Sequence, residues 1–137
     1  MKLLTYKLLF LFSVILLASC SDDDEKAAGN PVMDIKSEFT NAMYGDSLPF
    51  TVSVTDEVPL STLKARIYYG EEKVSEVVLR TKTNGSYSGK IYVPVFEDTP
   101  DGKAKLEFTL QNINFTLTNK TYDLTVTRPV FPYLTFV

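Results

Sequence analysis

Serine hydroxyls and carboxylates are the side chains from which this sequence would have to build a catalytic site. The 137-residue chain contains no His and a single Cys, so the usual general base and every Cys/His or Ser/His dyad are missing. No serine lies in a Gly-x-Ser-x-Gly elbow. The adjacent acids Asp56/Glu57 and Glu71/Glu72 fall in predicted turns, where carboxylates are ordinarily solvated. We therefore expect no enzyme activity, no catalytic residues, no metal site and no cofactor.

Aromatic side chains are the remaining candidates for ligand binding. Tyr and Phe rings can stack on the apolar faces of sugars, and the Tyr hydroxyl can add a hydrogen bond. Tyr68 and Tyr92 are predicted to face outward from their strands, and Tyr44 lies in a predicted turn. The alternative is that these rings cover a second sheet face or an interdomain contact. The chain has no Trp, which argues against a dedicated carbohydrate platform.

Charge and composition limit the classes of protein to which the chain can belong. The chain has 14 Lys+Arg against 17 Asp+Glu, a net charge of -3, and so lacks the basic excess that binding to a phosphate backbone requires. We expect no nucleic-acid partner. The 45% hydrophobic and 23% charged residues are typical of a globular protein, and the length predicts one small domain.

The first twenty residues have the features of an export signal. Lys2 and Lys7 lie near the start, and residues 8–17 form an apolar run too short to span a hydrocarbon core of ~30 Å. The run closes with Leu17-Ala18-Ser19-Cys20, which resembles the bacterial lipobox, in which signal peptidase cuts before a Cys that carries the lipid. We expect residues 1–19 to be a signal peptide and Cys20 to be lipidated. The alternative is a plain secretory signal with an incidental or buried Cys.

Residues 20–30 form a polar tether with an acidic block at residues 22–25. Consecutive acids on a flexible segment diverge and stay solvated, so they do not predict a metal site. Treated as a flexible coil, the tether would hold the following domain ~15–20 Å from a membrane.

From residue 31 onward, apolar residues recur at every second position, which is the period of a pleated strand with one buried face. These patterns predict about eight strands, at residues 32–36, 48–54, 63–69, 74–81, 87–93, 104–110, 113–117 and 122–126. Turns are predicted at residues 44–47, 83–86, 100–102 and 118–120, and Asn84-Gly85 is the strongest hairpin signal. No helical period follows residue 20. The prediction is an all-β fold, an immunoglobulin-like antiparallel β-sandwich of about 7–8 strands over residues 31–128.

The last segment, residues 129–137, is apolar where a terminus would ordinarily be polar. It could be a final edge strand in which Pro129 and Pro132 block further pairing. It could instead begin a linker into a second domain that this chain lacks. We favour the linker, because an exposed apolar tail would promote aggregation unless something covered it.

Four segments of the chain carry a family resemblance: Leu60-Ser61-Thr62-Leu63-Lys64-Ala65, Arg80-Thr81-Lys82-Thr83-Asn84-Gly85, Lys90-Ile91-Tyr92-Val93-Pro94 and Arg128-Pro129-Val130-Phe131-Pro132-Tyr133-Leu134. Together they resemble the N-terminal immunoglobulin-like domain of Bacteroidetes surface glycan-binding lipoproteins, a kind grouped among domains of unknown function. The resemblance covers about residues 31–137. It implies a lipid-anchored, surface-exposed outer-membrane protein associated with a sugar importer, with the acidic block at residues 22–25 as a surface-export signal. In such proteins the glycan sites lie mainly on later domains and the first domain is a spacer.

Two functions therefore remain open. The first is a non-catalytic, membrane-proximal spacer in a surface lipoprotein that captures polysaccharide. The second is a structural or adhesive surface lipoprotein, in which a sheet edge or the apolar tail contacts another protein.

Overall fold

The computed structural model describes residues 27–96 and 102–129, and none of these residues lies in a helix. The predicted signal peptide, Cys20, the acidic block and residues 130–137 lie outside the described residues. Eight strands are present: β1 Val32–Ile35, β2 Asn41–Met43, β3 Ser47–Thr55, β4 Leu60–Tyr69, β5 Glu72–Arg80, β6 Gly85–Tyr92, β7 Gly102–Asn112 and β8 Leu117–Thr127.

The strands form two sheets, one with the order β1-β3-β6 and the other with the order β2-β8-β7-β4-β5. This strand order confirms the predicted fold class, an all-β immunoglobulin-like sandwich. One pair departs from the antiparallel prediction, because β2 runs parallel to β8. Strand β2 was not predicted, because three residues are too few to display an alternation.

The core lies between the sheets, where the alternating residues of each strand meet. In β3, Phe50, Val52 and Val54 are buried, while the intervening Thr51 and Ser53 are half-buried on the outer side. Strand β7 supplies the centre, because Phe108 is fully buried and its ring meets that of Phe50 edge-on at a centroid distance of 5.4 Å. This interdigitation gives the domain an apolar core of its own.

The hairpin predicted at Asn84-Gly85 is wrong. Strand β5 pairs with β4 and strand β6 pairs with β3, so the chain crosses there from one sheet to the other. The Asn84 side chain holds the chain at the crossing: its Oδ1 accepts from the Asp56 amide at 3.0 Å and its Nδ2 donates to the Asp56 carbonyl at 3.1 Å. The tight hairpin lies instead between β4 and β5, where Tyr69 pairs with Glu72 and Gly70 has φ 64°.

The prediction for residues 113–120 is also wrong. The chain turns at residues 113–116, where a strand was expected, and β8 runs through residues 118–120, where a turn was expected. The Asn112 side-chain oxygen accepts from the amides of Asn114 at 2.9 Å and Thr116 at 3.0 Å. These local bonds stabilise a turn where the alternation of apolar residues had predicted a strand. The predicted turn at residues 44–47 is confirmed, with Gly45 at φ 91°.

The described chain enters and leaves at opposite ends of the sandwich. One end, here called the base, consists of residues 27–30 with the loops at 56–59, 81–84 and 113–116. The other, called the upper end, consists of residues 44–46, 70–71, 93–96 and 128–129. Strand β8, with 11 residues, runs from the base to the upper end. At about 3.3 Å per residue, the two ends lie roughly 35 Å apart.

Candidate functional site

Tyr44 does not face outward as predicted. It is buried, and its ring meets that of Tyr69 edge-on at a centroid distance of 5.9 Å. The backbone forces this position, because the Tyr44 amide donates to the Thr127 carbonyl at 3.0 Å and the Gly45 amide donates to the Val93 carbonyl at 2.8 Å. These bonds place Tyr44 between the two sheets. Its ring is therefore part of the core and offers no free face to a sugar.

Tyr69 is the aromatic residue at the upper end that the sequence analysis did not single out. Its hydroxyl donates to the Pro94 carbonyl at 2.7 Å, and its ring also meets that of Phe96 at 6.3 Å. Burial raises the pKa of Tyr69 to about 12, and the neighbouring phenols of Tyr44 and Tyr92 add to the shift. Alternation already placed Tyr69 on the inner face of β4, but nothing in the sequence pairs it with residues 94–96.

Tyr92 and Tyr68 are at least partly accessible, but they lie on different sheets. Tyr92 ends β6 and is 48% exposed at the upper end, near the half-exposed Phe96. Tyr68 is half-buried on β4, and its register partners are Lys73 and Lys105. The three predicted contact residues are thus not assembled into one platform.

The depression beside Tyr68 is too small for a typical ligand site. It is lined by Tyr68, Gly70, Lys103, Ala104, Lys105 and Asp123, and it encloses about 180 Å³. Clefts that bury small ligands generally exceed 300 Å³. The partly exposed tyrosines therefore offer separate surface contacts.

A polar cluster at the base, around Asp56 and Asn112, is joined by several hydrogen bonds and was not predicted from the sequence. The Asp56 carboxylate accepts from the Asn30 amide at 3.0 Å, the Val58 amide at 3.1 Å and the buried Asn112 Nδ2 at 2.8 Å. Partial burial raises the pKa of Asp56, but these hydrogen bonds and one from the Glu57 amide outweigh it and hold the pKa below its ordinary value. The Asp56 carboxylate, which was predicted to be solvated in a turn, is therefore held in place by hydrogen bonds from three other residues.

The end of the tether is held against this cluster. Asn112 Nδ2 donates to the Ala28 carbonyl at 2.8 Å, Thr116 Oγ1 donates to the same carbonyl at 2.6 Å, and Asn114 Nδ2 donates to the Ala27 carbonyl at 2.7 Å. Three side chains of one loop thus fix the direction in which the chain approaches the domain. Asn, Asp and Thr in loops are common, so no sequence signal identified their shared role.

The same loop carries backbone strain. Phe115 has φ 64°, and it is the one described residue other than glycine with a positive φ. Such a conformation costs about 1–3 kcal/mol for a bulky residue. The ring is 80% exposed and gives no core packing in return. Strain and exposure at one aromatic residue mark this loop as a candidate contact surface.

In residues 27–96 and 102–129 no group of three or more His, Cys, Asp and Glu side chains could hold a metal. Nor do those residues include a helix with the length and apolarity to cross a membrane. The predicted lipid-bearing residue, Cys20, lies outside the described residues.

Two packed sheets built from eight strands define an immunoglobulin-like β-sandwich domain. The chain belongs to the family "Domain of unknown function (DUF5016)", which matches residues 1–119. The resemblance to a domain of unknown function is confirmed at this level. A comparison with curated proteins gives no match.

Solved structures with a similar chain trace include the fibronectin(III)-like modules of CbhA from Clostridium thermocellum. That match has 13% identity and a TM-score of 0.49, and it covers 72% of this chain and 47% of that chain. This chain therefore spans about half the length of that structure. The CARDB domain of a Pyrococcus furiosus protein, described in complex with di-metal ions, matches with 14% identity and a TM-score of 0.45, covering 72% of this chain and 93% of that chain.

Proposed function

We propose that this domain is the membrane-proximal spacer of a lipid-anchored cell-surface protein and that it acts by position, without catalysis. The observation that carries the proposal is the placement of entry and exit at opposite ends, with the tether fastened at the base by Asn112, Asn114 and Thr116. A domain connected in this way separates whatever follows Pro129 from an anchor at Cys20 by the length of the sandwich.

The anchor is the first part of the proposal. Two or three acyl chains on Cys20 give stable membrane attachment, whereas one chain gives only marginal binding. The variant Cys20→Ala should yield an unprocessed or soluble protein, while the control Ser21→Ala should fractionate with the membrane. If the Cys20→Ala protein stays in outer membranes after a salt wash, the anchor is overturned.

Surface location is the second part. The acidic block at residues 22–25 is proposed to direct the lipoprotein outward. Replacing its four acids with Ala should protect the protein from protease added to whole cells. Unchanged protease sensitivity would limit the block to the role of a tether.

Orientation is the third part, and the cysteine content makes it testable. Cys20 is the single cysteine, and lipidation removes its free thiol. Glu57→Cys at the base and Glu71→Cys at the upper end are matched exposed positions in turns. On whole cells a bulky, impermeant maleimide should label Glu71→Cys faster than Glu57→Cys. Equal labelling would contradict the orientation, and labelling of neither would contradict surface exposure.

Glycan capture is proposed for the protein to which this domain belongs, with polysaccharide and an outer-membrane sugar importer as partners. It is supported by the resemblance of the four sequence segments, while the separated Tyr68 and Tyr92 favour a site elsewhere than on this domain. The second candidate, a structural or adhesive contact with another protein, is supported by half-exposed apolar residues at the upper end. They are Met43, Tyr92, Val95 and Phe96.

A further inference from the structure

The loop at the base between β7 and β8 exposes three apolar side chains. In this base loop, defined here as residues 113–116 together with Leu117, the first residue of β8, the exposed fraction is 53% for Ile113, 80% for Phe115 and 54% for Leu117. One exposed apolar residue is ordinary on a protein surface. Three within five residues, at positions 113, 115 and 117, are more than a scattered surface residue and make the base loop a candidate contact surface.

The base loop is held in one conformation. Besides the two bonds to the Asn112 side chain, the Phe115 amide donates to the Asn112 carbonyl at 3.1 Å and the Ile113 amide donates to the Pro59 carbonyl at 3.0 Å. The positive φ of Phe115 is thus imposed by the surrounding bonds. A rigid loop loses little further conformational entropy when its side chains enter another phase.

The tether approaches the domain beside this loop. Asn114 and Thr116 hold the Ala27 and Ala28 carbonyls, so the base loop and the start of the described chain are in direct contact. Six residues lie between Cys20 and Ala27, which makes seven residue-to-residue steps. Covalent geometry limits the reach of these seven steps to at most about 25 Å. Under the proposed lipid anchor, Phe115 is therefore confined close to the bilayer.

Basic side chains lie next to the apolar surface. A groove beside Ile113 is lined by Leu60, Ser61, Thr62, Arg80 and Lys82, and Arg80 and Lys82 are exposed. Apolar residues bordered by cations match a lipid interface, in which acyl chains lie below anionic headgroups.

We propose that the base loop inserts Ile113, Phe115 and Leu117 into the lipid interface and gives the domain a second, non-covalent membrane contact. The proposal rests on the proposed anchoring at Cys20. Covalent tethering makes the insertion intramolecular. Three side chains that would bind a vesicle only weakly in free solution are therefore sufficient to keep the base loop in the lipid interface. The contact would also fix the tilt of the sandwich relative to the membrane.

The absence of Trp from the chain provides a direct probe. Phe115→Trp introduces a single fluorophore at the base loop, and Phe96→Trp introduces one at a half-exposed position of the upper end. Each full-length, processed lipoprotein would be reconstituted into vesicles of phosphatidylethanolamine and phosphatidylglycerol, with and without bromine on the acyl chains. Flotation reports anchoring, and Trp emission reports insertion.

We expect both variants to float. The Phe115→Trp emission should shift to shorter wavelength and lose intensity in brominated vesicles, while the Phe96→Trp emission should be unchanged. Adding Ile113→Asp to Phe115→Trp should reduce the quenching without affecting flotation.

Flotation with equal emission from the two single-Trp variants overturns the loop contact and leaves the anchor standing. Failure to float overturns both. A wavelength shift that depends on protein concentration, without bromine quenching, would assign the loop to a second copy of the chain and overturn the lipid contact.

Discussion

At the scale of single residues, the base of the domain depends on Gly29. Its φ is 78°, and an added Cβ would lie 2.6 Å from Asn112 Nδ2 and 2.8 Å from an Asp56 carboxylate oxygen. Gly29→Ala should therefore lower the free energy of unfolding by more than the roughly 1–3 kcal/mol that backbone strain alone costs, and it should speed hydrogen exchange at the Asn30 amide. Urea denaturation and exchange measured by NMR would check both effects.

The control for this substitution is Gly45→Ala. Gly45 has a similar φ of 91°, but an added Cβ would meet nothing within 4 Å. Gly45→Ala should therefore lower the free energy of unfolding by the cost of backbone strain alone, without any steric collision of the added Cβ. Equal losses of stability in the two variants would mean that the contacts of Gly29 with the polar cluster do not matter.

Asp56 is predicted to make the stability of the domain sensitive to acid. Because its pKa in the folded protein lies below the ordinary value of 3.8, the folded state binds fewer protons than the unfolded state as pH falls. The stabilisation is complete above that ordinary value and is lost as pH falls through the lower folded pKa. Asp56→Asn should flatten the acid limb of a stability–pH curve, whereas Glu57→Gln, which leaves these hydrogen bonds in place, should keep it. Identical acid limbs for wild type and Asp56→Asn would contradict the prediction.

At the scale of elements, β7 contributes the central core residue. Phe108 is fully buried, and its ring meets those of Phe39, Phe50 and Tyr122 at centroid distances of 5.4–6.1 Å. Phe108→Ala should cost about 3–5 kcal/mol of the free energy of unfolding, a large part of the 5–15 kcal/mol typical of such domains. Thermal or urea denaturation measures the loss.

Phe115→Ala is the matched substitution for Phe108→Ala, because it removes the same ring from an 80% exposed position. It should change stability by no more than about 0.5 kcal/mol. A loss at Phe115 comparable to that at Phe108 would show that the base loop is part of the cooperative core.

Strand positions were predictable wherever one face of a strand is buried along its whole length. In β3 and β7, alternation marks the inner residues because burial selects apolar side chains at every second position. Strand pairing was not predictable in the same way. The pairing of β6 with β3 involves contacts between residues far apart in the sequence, such as the bonds of Asn84 to Asp56, 28 positions away.

The candidate site was less predictable than the fold. A tyrosine in a turn is expected to be exposed, but Tyr44 fills the gap between two sheets whose separation no local pattern reveals. The base cluster depends on Asp56 and Asn112, which are distant in sequence and individually ordinary. Phe115 was predicted as part of a strand, and only the backbone conformation reveals its strain.

At the scale of the whole molecule, the separation of exposed aromatic residues predicts that residues 31–137 bind no polysaccharide with useful affinity. Each ring stacking on a sugar adds only ~0.5–1.5 kcal/mol beyond area burial, and Tyr68 and Tyr92 lie on different sheets. Binding should be weaker than about millimolar, near -4 kcal/mol. Calorimetry of the purified protein against plant and host glycans tests this expectation. A dissociation constant of tens of micromolar that is lost in Tyr92→Ala or Tyr68→Ala would make the domain a binding site.

The opposite placement of entry and exit also decides how the domain would respond to mechanical load. A force applied between the tether and Pro129 runs along the strand axes, so it shears the ladders of hydrogen bonds and loads many of them at once. β8 is held by ten residue pairs to β7 and three to β2, whereas β1 is held by four pairs to β3. The first rupture under tension should therefore free β1 and its fastening at the base, which would lengthen the tether while the remaining strands stay folded.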